Sequence, residues 1–336
     1  MAPSAPETRP LGRRGLVVSR IGVGLAAIAR PGYITLGRAH DLPERSPDAM
    51  YARVAQVLDA ARAAGIRYVD VARSYGRAEE FLARWLQERG TPRAVPRDAL
   101  TIGSKWGYRY TAGWRIDAPV HEQKELTLAR FTAQLAESRG LLGDRLDLYQ
   151  IHSATAESGV LSDVALLAAL VDGRRRGDYR AVGLTLSGAT SAKTLELARD
   201  ARVDGEPVFD VVQATFNVLE PSLAAALEAA HDAGMGVIAK EVLANGRLTD
   251  ANERPEDAAL LAHLRALAPN VPLDRSAVAF VLAHPYVDVA LSGAATTGQL
   301  TSHLAATAVG IEPRAFESLV EPSERYWATR ASLPWS

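Results

Sequence analysis

A chain of 336 residues with 48% hydrophobic and 23% charged residues has the composition of an ordinary globular protein and enough length for a large core. Its formal net charge of -1 excludes electrostatic capture by nucleic acid or an anionic membrane as the organising function. The absence of cysteine removes disulfides, thiolate nucleophiles and cysteine metal sites together, and a reducing, cytoplasmic setting is the expectation.

Met1 to Pro10 is rich in Pro, Ala and Ser, lacks the apolar core of a signal peptide, and reads as a disordered lead to a single domain over residues 11–336. No later stretch is apolar for long enough to span a membrane. Gly12 and Gly15, in Leu11-Gly-Arg-Arg-Gly-Leu-Val-Val, predict a small hairpin.

Short β-branched or apolar runs then alternate with amphipathic stretches. Ile21–Gly24, Tyr68–Asp70, Leu100–Lys105 and Leu146–His152 read as the first four strands. Ala181–Thr185, Phe209–Thr215, Gly236–Ala239 and Val287–Ser292 read as the other four. Between them, Met50, Val54, Val57, Leu58 and Ala61 share one helical face, as do Val164, Leu167, Ala168 and Val171. This alternation predicts an α/β fold, a closed (β/α)8 barrel whose N-terminal mouth the hairpin would plug. A doubly wound sheet is the alternative, but no G-x-G-x-x-G follows the first strand. Three connections are long, 26–47, 106–124 and 240–254, and long loops in compact domains are usually functional.

Asp70, Tyr75, Lys105 and His152 fall at or just beyond the ends of strands two, three and four, where a barrel places its chemistry. A phenol is a poor acid at neutral pH unless a cation favours its phenolate. Lys105 is that cation in this reading, held by Asp70, while His152 orients a substrate oxygen. At about 4 Å and an effective dielectric near 20, the attraction is roughly 4 kcal/mol. The set suits reduction of a carbonyl.

The segment Asp70-Val-Ala-Arg-Ser-Tyr75-Gly76 resembles the signature of the aldo-keto reductase superfamily, with Val71 in place of the usual Thr. Lys105 and His152 stand where that family's other catalytic residues would be, and the resemblance covers nearly the whole chain. It implies a (β/α)8 barrel, a nicotinamide cofactor (NADP or NAD) bound without a Rossmann fold, and hydride transfer with an aldehyde, ketone or aldose, Tyr75 carrying the proton.

The resemblance also implies a cofactor site. Gln213 matches the glutamine that binds the carboxamide, Phe216 the stacking ring, and Thr185 keeps a hydroxyl although Leu186 replaces an asparagine. Ser292, Gly293 and Ala294 resemble the start of the phosphate-binding loop, with Gln299 and His303 where a cationic clamp on a 2′-phosphate is common. Lys240, Arg247 and Arg275 are candidates to supply charge from neighbouring segments. Trp106, Tyr108, Tyr110 and Trp114 are dense for a chain with 6% aromatics. Trp106, Tyr108 and Trp114 are candidates for a substrate wall, to which Tyr326, Trp327 and Trp335 could add. The seven histidines show no metal-binding spacing, so no metal is expected. A non-redox lyase or isomerase using Lys105, or a cofactor-binding regulatory subunit, are the competing functions.

Overall fold

In the computed structural model, which describes residues 7–89 and 96–336, the chain enters through an antiparallel hairpin of β1 (Thr8–Leu11) and β2 (Leu16–Ser19). Thr8 to Pro10 therefore belong to a strand, not to the disordered lead expected from composition. Pro10 sits on an edge, where its missing N–H costs no ladder bond, and Arg9 Nη1 ties the strand to the carbonyl of Pro285 at 3.1 Å. The rest of the expected lead, residues 1–6, lies outside the described residues.

The following strands are β3 (Ile21–Gly24), β4 (Tyr68–Asp70), β5 (Thr101–Trp106), β6 (Tyr108–Tyr110), β7 (Glu122–Lys124) and β8 (Leu148–Ile151). They continue with β9 (Ala181–Leu186), β10 (Arg202–Val203), β11 (Glu206–Pro207), β12 (Val211–Thr215), β13 (Gly236–Lys240) and β14 (Val289–Ser292). Among the described residues, eight of these close a parallel barrel in the cyclic order β3, β4, β5, β8, β9, β12, β13, β14. The (β/α)8 barrel expected from the alternation is the fold, and β6–β7 and β10–β11 are small side hairpins.

The barrel strands are almost wholly buried, because helices cover one face and side chains fill the other. On the inner face Tyr68 needs small neighbours: a Cβ on Gly22 would lie 2.7 Å from its ring, and one on Gly103 would collide with its hydroxyl. Leu11, Leu16 and Val18 of the hairpin join Tyr68, Leu148, Val211, Ile238 and Val289 in one apolar cluster. The hairpin thus plugs the N-terminal mouth, as the sequence predicted. Gly12 permits that close approach, since its φ is 64° and a Cβ would meet the Asp210 carbonyl.

Three strands begin two residues later than their apolar runs. The second residue of each run is an Asp whose carboxylate caps the neighbouring strand: Asp147 accepts from Ile102 N (2.9 Å), Asp210 from Val182 N (3.1 Å) and Asp288 from Val237 N (2.8 Å).

The helices are α1 (Arg38–Asp41), α2 (Pro47–Ala63), α3 (Ala78–Arg89), α4 (Leu128–Leu142), α5 (Val164–Arg176) and α6 (Ser191–Asp200). They are followed by α7 (Ala224–Asp232), α8 (Ala258–Leu267), α9 (Leu273–Leu282), α10 (Thr297–Ala305) and α11 (Ser323–Ser332). Local chemistry starts several of them: Ser46, Thr127, Asp163 and Thr296 each accept a hydrogen bond from a backbone N–H of the first turn. The predicted face of α2 is buried throughout, whereas Val164 is exposed and Leu166, Leu167, Leu170 and Val171 form the buried face of α5. No helix among the described residues is long and apolar enough to cross a membrane.

Candidate active site

Asp70 closes β4 on the inner face, two residues after Tyr68, as strand alternation requires. The turn that follows returns Tyr75 over the mouth of the barrel. Only glycine suits its exit, because Gly76 has φ 60° and a Cβ there would stand 2.5 Å from the Ala29 carbonyl oxygen.

The Asp70 carboxylate accepts from Lys105 Nζ, from Tyr68 Oη at 3.0 Å and from Gln213 Nε2 at 2.8 Å. Lys105 also donates to the Val71 carbonyl at 3.0 Å. One buried network thereby joins β4, β5 and β12. Burial lowers the pKa of Lys105, and its ion pair with Asp70 opposes that shift.

Tyr75 Oη lies 3.5 Å from His152 Nε2, and Ser74 Oγ lies 3.4 Å from Nδ1 of the same ring. Tyr108 meets the imidazole edge-on at 4.9 Å. Burial first, then the cations Lys105, Lys240, Arg30 and Lys124, pushes His152 well below its usual range. It is therefore neutral and has one N–H to give.

Lys105, the cation expected to acidify Tyr75, makes no hydrogen bond to it. The ammonium sits 4.7 Å from the centroid of the phenol ring. Nor is the phenol acidified: burial and the charge of Asp70 push its pKa well above the ordinary tyrosine value. Burial is the larger cause, and a cation already paired with Asp70 offers the phenol only the field of a dipole to oppose it.

These groups open into a cavity of about 640 Å³ that runs from Tyr75 and His152 to Ser292, Gly293, Gln299 and His303. Its near wall is aromatic and polar. Arg30, paired with Glu122, has its Cζ 4.9 Å from the Tyr33 ring, 5.1 Å from Tyr75 and 5.2 Å from Trp335. Trp335 is held by stacking on His121, 3.9 Å between centroids at 6°, and by a β-bridge to Ile34. Across the top, Leu36 N bonds the Asn245 carbonyl at 2.9 Å and so joins two of the long loops.

Residues 33–323 match the family model described as Aldo/keto reductase family. The chain belongs to the aldo/keto reductase family.

It is 28% identical over 257 residues to Aldo-keto reductase str7 of Strobilurus tenacellus, across 74% of this chain and 65% of that protein's length. It is 27% identical over 295 residues to a D-threo-aldose 1-dehydrogenase of Pseudomonas sp, across 79% of this chain and 86% of that one. An aldo-keto reductase from Bacillus halodurans, solved in its holo form, superimposes with a TM-score of 0.72 at 18% identity, covering 94% of this chain and 97% of that one. At that identity the likeness shows the fold alone.

Within this aldo/keto reductase, Asp70, Tyr75, His152, Gln213, Lys240 and Tyr108 line the cavity, as do Ser292, Gly293, Gln299 and His303. Lys105 lies just behind Asp70.

Besides Lys105, five residues expected at the site do not line it, and Phe216 is the clearest. Gln213 and Thr215 face inward, so Phe216 faces outward and packs on Phe280, His284 and Tyr286. The same alternation turns Trp106 away from the cavity when Lys105 points in, and Trp106 packs on Phe131. Trp114 packs on Phe81 and donates to the Arg45 carbonyl at 2.8 Å. Thr185 Oγ1 accepts from Ser153 N at 2.7 Å, which props the loop after His152. Ala294 N turns back to Ser292 Oγ at 3.3 Å.

Of the three charges suggested from neighbouring segments, Arg247 is locked to Asp257 and Glu321, and Arg275 does not line the cavity. Lys240 does line it, donating to Ser187 Oγ at 2.9 Å and Thr215 Oγ1 at 2.8 Å. Burial lowers its pKa to about 8, against the pull of Glu241. Sequence reasoning missed Arg30, Tyr33, Glu122, Lys124, Glu241 and Arg330, all contributed by loops, loop hairpins or the C-terminal helix. Tyr326 and Trp327 pack on each other, and Tyr326 Oη receives Asn217 Nδ2 at 3.0 Å. Among the described residues, no group of three or more His, Cys, Asp or Glu side chains is arranged to hold a metal ion.

Proposed function

We propose that this protein is an NAD(P)-dependent oxidoreductase that interconverts a carbonyl compound and its alcohol, with an aldose reacting at its anomeric carbon as the substrate class. The observation that carries this reading is the placement of Tyr75. Its half-buried hydroxyl sits beside neutral His152, near the Asp70–Lys105 pair, and opens on a cavity of about 640 Å³.

The far end of the cavity fits a dinucleotide. It holds the N-terminus of α10, whose backbone N–H groups and dipole suit a diphosphate. A Cβ on Gly293 would have nothing within 4 Å, so the loop there is thin enough for close approach. Gln213, Lys240, Ser292, Gly293, Gln299 and His303 would hold the dinucleotide, and Leu36 bonded to Asn245 would cover it. When bound, its nicotinamide supplies or accepts a hydride.

The residues of the chain then have separate tasks. Tyr75, kept protonated by burial, gives its proton to the carbonyl oxygen as the carbon receives the hydride; oxidation of the alcohol is the reverse. His152 donates its single N–H to the same oxygen. Lys105, anchored by Asp70 and the Val71 carbonyl, faces the phenolate left behind. Tyr33, Tyr108 and Trp335 offer ring faces, and Glu122, Lys124 and Ser153 offer polar groups, the combination a hydroxyl-rich sugar requires. The D-threo-aldose 1-dehydrogenase among the relatives supports that substrate class.

The lyase or isomerase alternative loses ground, because Lys105 is engaged with Asp70 and the Val71 carbonyl and would have to leave that buried pair to act as a nucleophilic amine. The test is a panel of aldoses, aldehydes and ketones with NAD(P)+ or NAD(P)H, followed by dinucleotide absorbance. Turnover of an aldose is the expected result. Absence of turnover with every compound, together with absence of dinucleotide binding, would overturn the proposal.

A further inference from the structure

From the charges at the far end of the cavity we infer that the protein selects NAD(H) against NADP(H), with Asp41 and Asp274 as the selecting residues. The inference rests on the dinucleotide reading above and adds which dinucleotide.

Three carboxylates, Asp41, Asp250 and Asp274, line the cavity, and two of them, Asp41 and Asp274, contact residues of α10. Asp41 comes from α1 and accepts from Gln299 Nε2 at 2.7 Å, while Gln299 Oε1 accepts from Ala295 N at 2.8 Å. A carboxylate is thereby fixed against the loop proposed to hold phosphate. Asp274 Oδ2 lies 3.6 Å from His303 Nε2, and His303 Nδ1 lies 2.7 Å from Ser292 Oγ. Burial, partly opposed by Asp274, holds His303 at about 4, so at neutral pH it brings no positive charge.

Every cation lining the cavity already has partners, and none of them bonds Asp41, Asp274, Gln299 or His303. Arg30 pairs with Glu122 and Arg330 with Glu241. Arg38 donates to the carbonyls of Ala27, Arg30, Pro31 and Ser336. Lys124 donates to the Ser153 carbonyl, and Lys240 to Ser187 and Thr215. Outside the cavity, Arg265 pairs with Asp250 at 2.8 Å, and His40 Nδ1, highly exposed, stands 3.7 Å from Asp41 Oδ1.

A ribose 2′-phosphate brings a charge near -2. Placed here, it would meet carboxylates with no arginine or lysine of the cavity wall bonded beside them, since Arg275, next to Asp274 on α9, does not line the cavity; a free 2′-hydroxyl can instead donate to a carboxylate.

Titrating the purified protein with NADH and with NADPH, followed by tryptophan fluorescence and calorimetry, reads the selection without turnover. NADH should bind about tenfold tighter or more, and the gap should narrow as salt screens the repulsion. The double substitution Asp41→Asn, Asp274→Asn should narrow it about tenfold at constant salt, chiefly by tightening NADPH. Equal or tighter binding of NADPH by the unaltered protein overturns the inference while leaving the dinucleotide reading intact. So does a double variant with an unchanged circular dichroism spectrum and an unchanged ratio. Binding of neither dinucleotide overturns both.

Discussion

The Lys105 ammonium stands 4.7 Å from the centroid of the Tyr75 ring, facing the aromatic surface while its hydrogen bonds go to Asp70 and Val71. Replacing Tyr75 by Phe keeps that surface and removes only the proton. The rate constant for turnover should fall about 10²- to 10⁴-fold. Dinucleotide affinity and melting temperature should stay near those of the unaltered protein, and steady-state kinetics with thermal unfolding check both.

The Asp70–Lys105 pair is buried, so removing either partner strands the other charge. Asp70→Asn or Lys105→Met alone should cost about 3–5 kcal/mol of stability. The two together should cost less than the sum, and urea denaturation of the three variants measures the difference as a coupling.

Stability should depend on pH through His303. Its value in the folded protein, about 4, lies below its ordinary 6.5. Between those limits the unfolded chain binds a proton that the folded chain refuses, so stability rises with pH across the window and is lost as pH falls through it. The complete loss is on the order of 3 kcal/mol. His303→Gln should make the profile from about pH 6.5 to about pH 4 shallower by the share of one proton, the remaining slope coming from His152 and the other buried imidazoles, as read by urea midpoints.

Trp335 lines the near wall through its stack on His121 and its bridge to Ile34. Trp335→Ala should raise the KM for the sugar about 2- to 10-fold, the worth of one aromatic contact, while the dissociation constant for the dinucleotide stays put.

Much of this was legible in the sequence. Strands buried on both faces leave apolar runs, and Asp70, Lys105 and His152 stand out as polar residues at their ends. The strand starts were blurred because Asp147, Asp210 and Asp288 occur inside those runs yet serve as caps for a neighbour. The orientations of Trp106 and Phe216 were written in the alternation itself, since an inward Lys105 and Gln213 fix their neighbours by parity. Arg30, Tyr33, Glu122 and Arg330 had no such signal. They reach the cavity through long connections and α11, and only contacts distant in sequence bring them together.

Among the described residues, the hairpin fills the base of the barrel and the cavity opens at the other end, on the side of Tyr75 and α10. Two reactants that meet there share one route in and out. Under the proposed function exchange would be serial: the component seated deepest would arrive first and depart last, and its release would set a ceiling on how fast the cycle can turn.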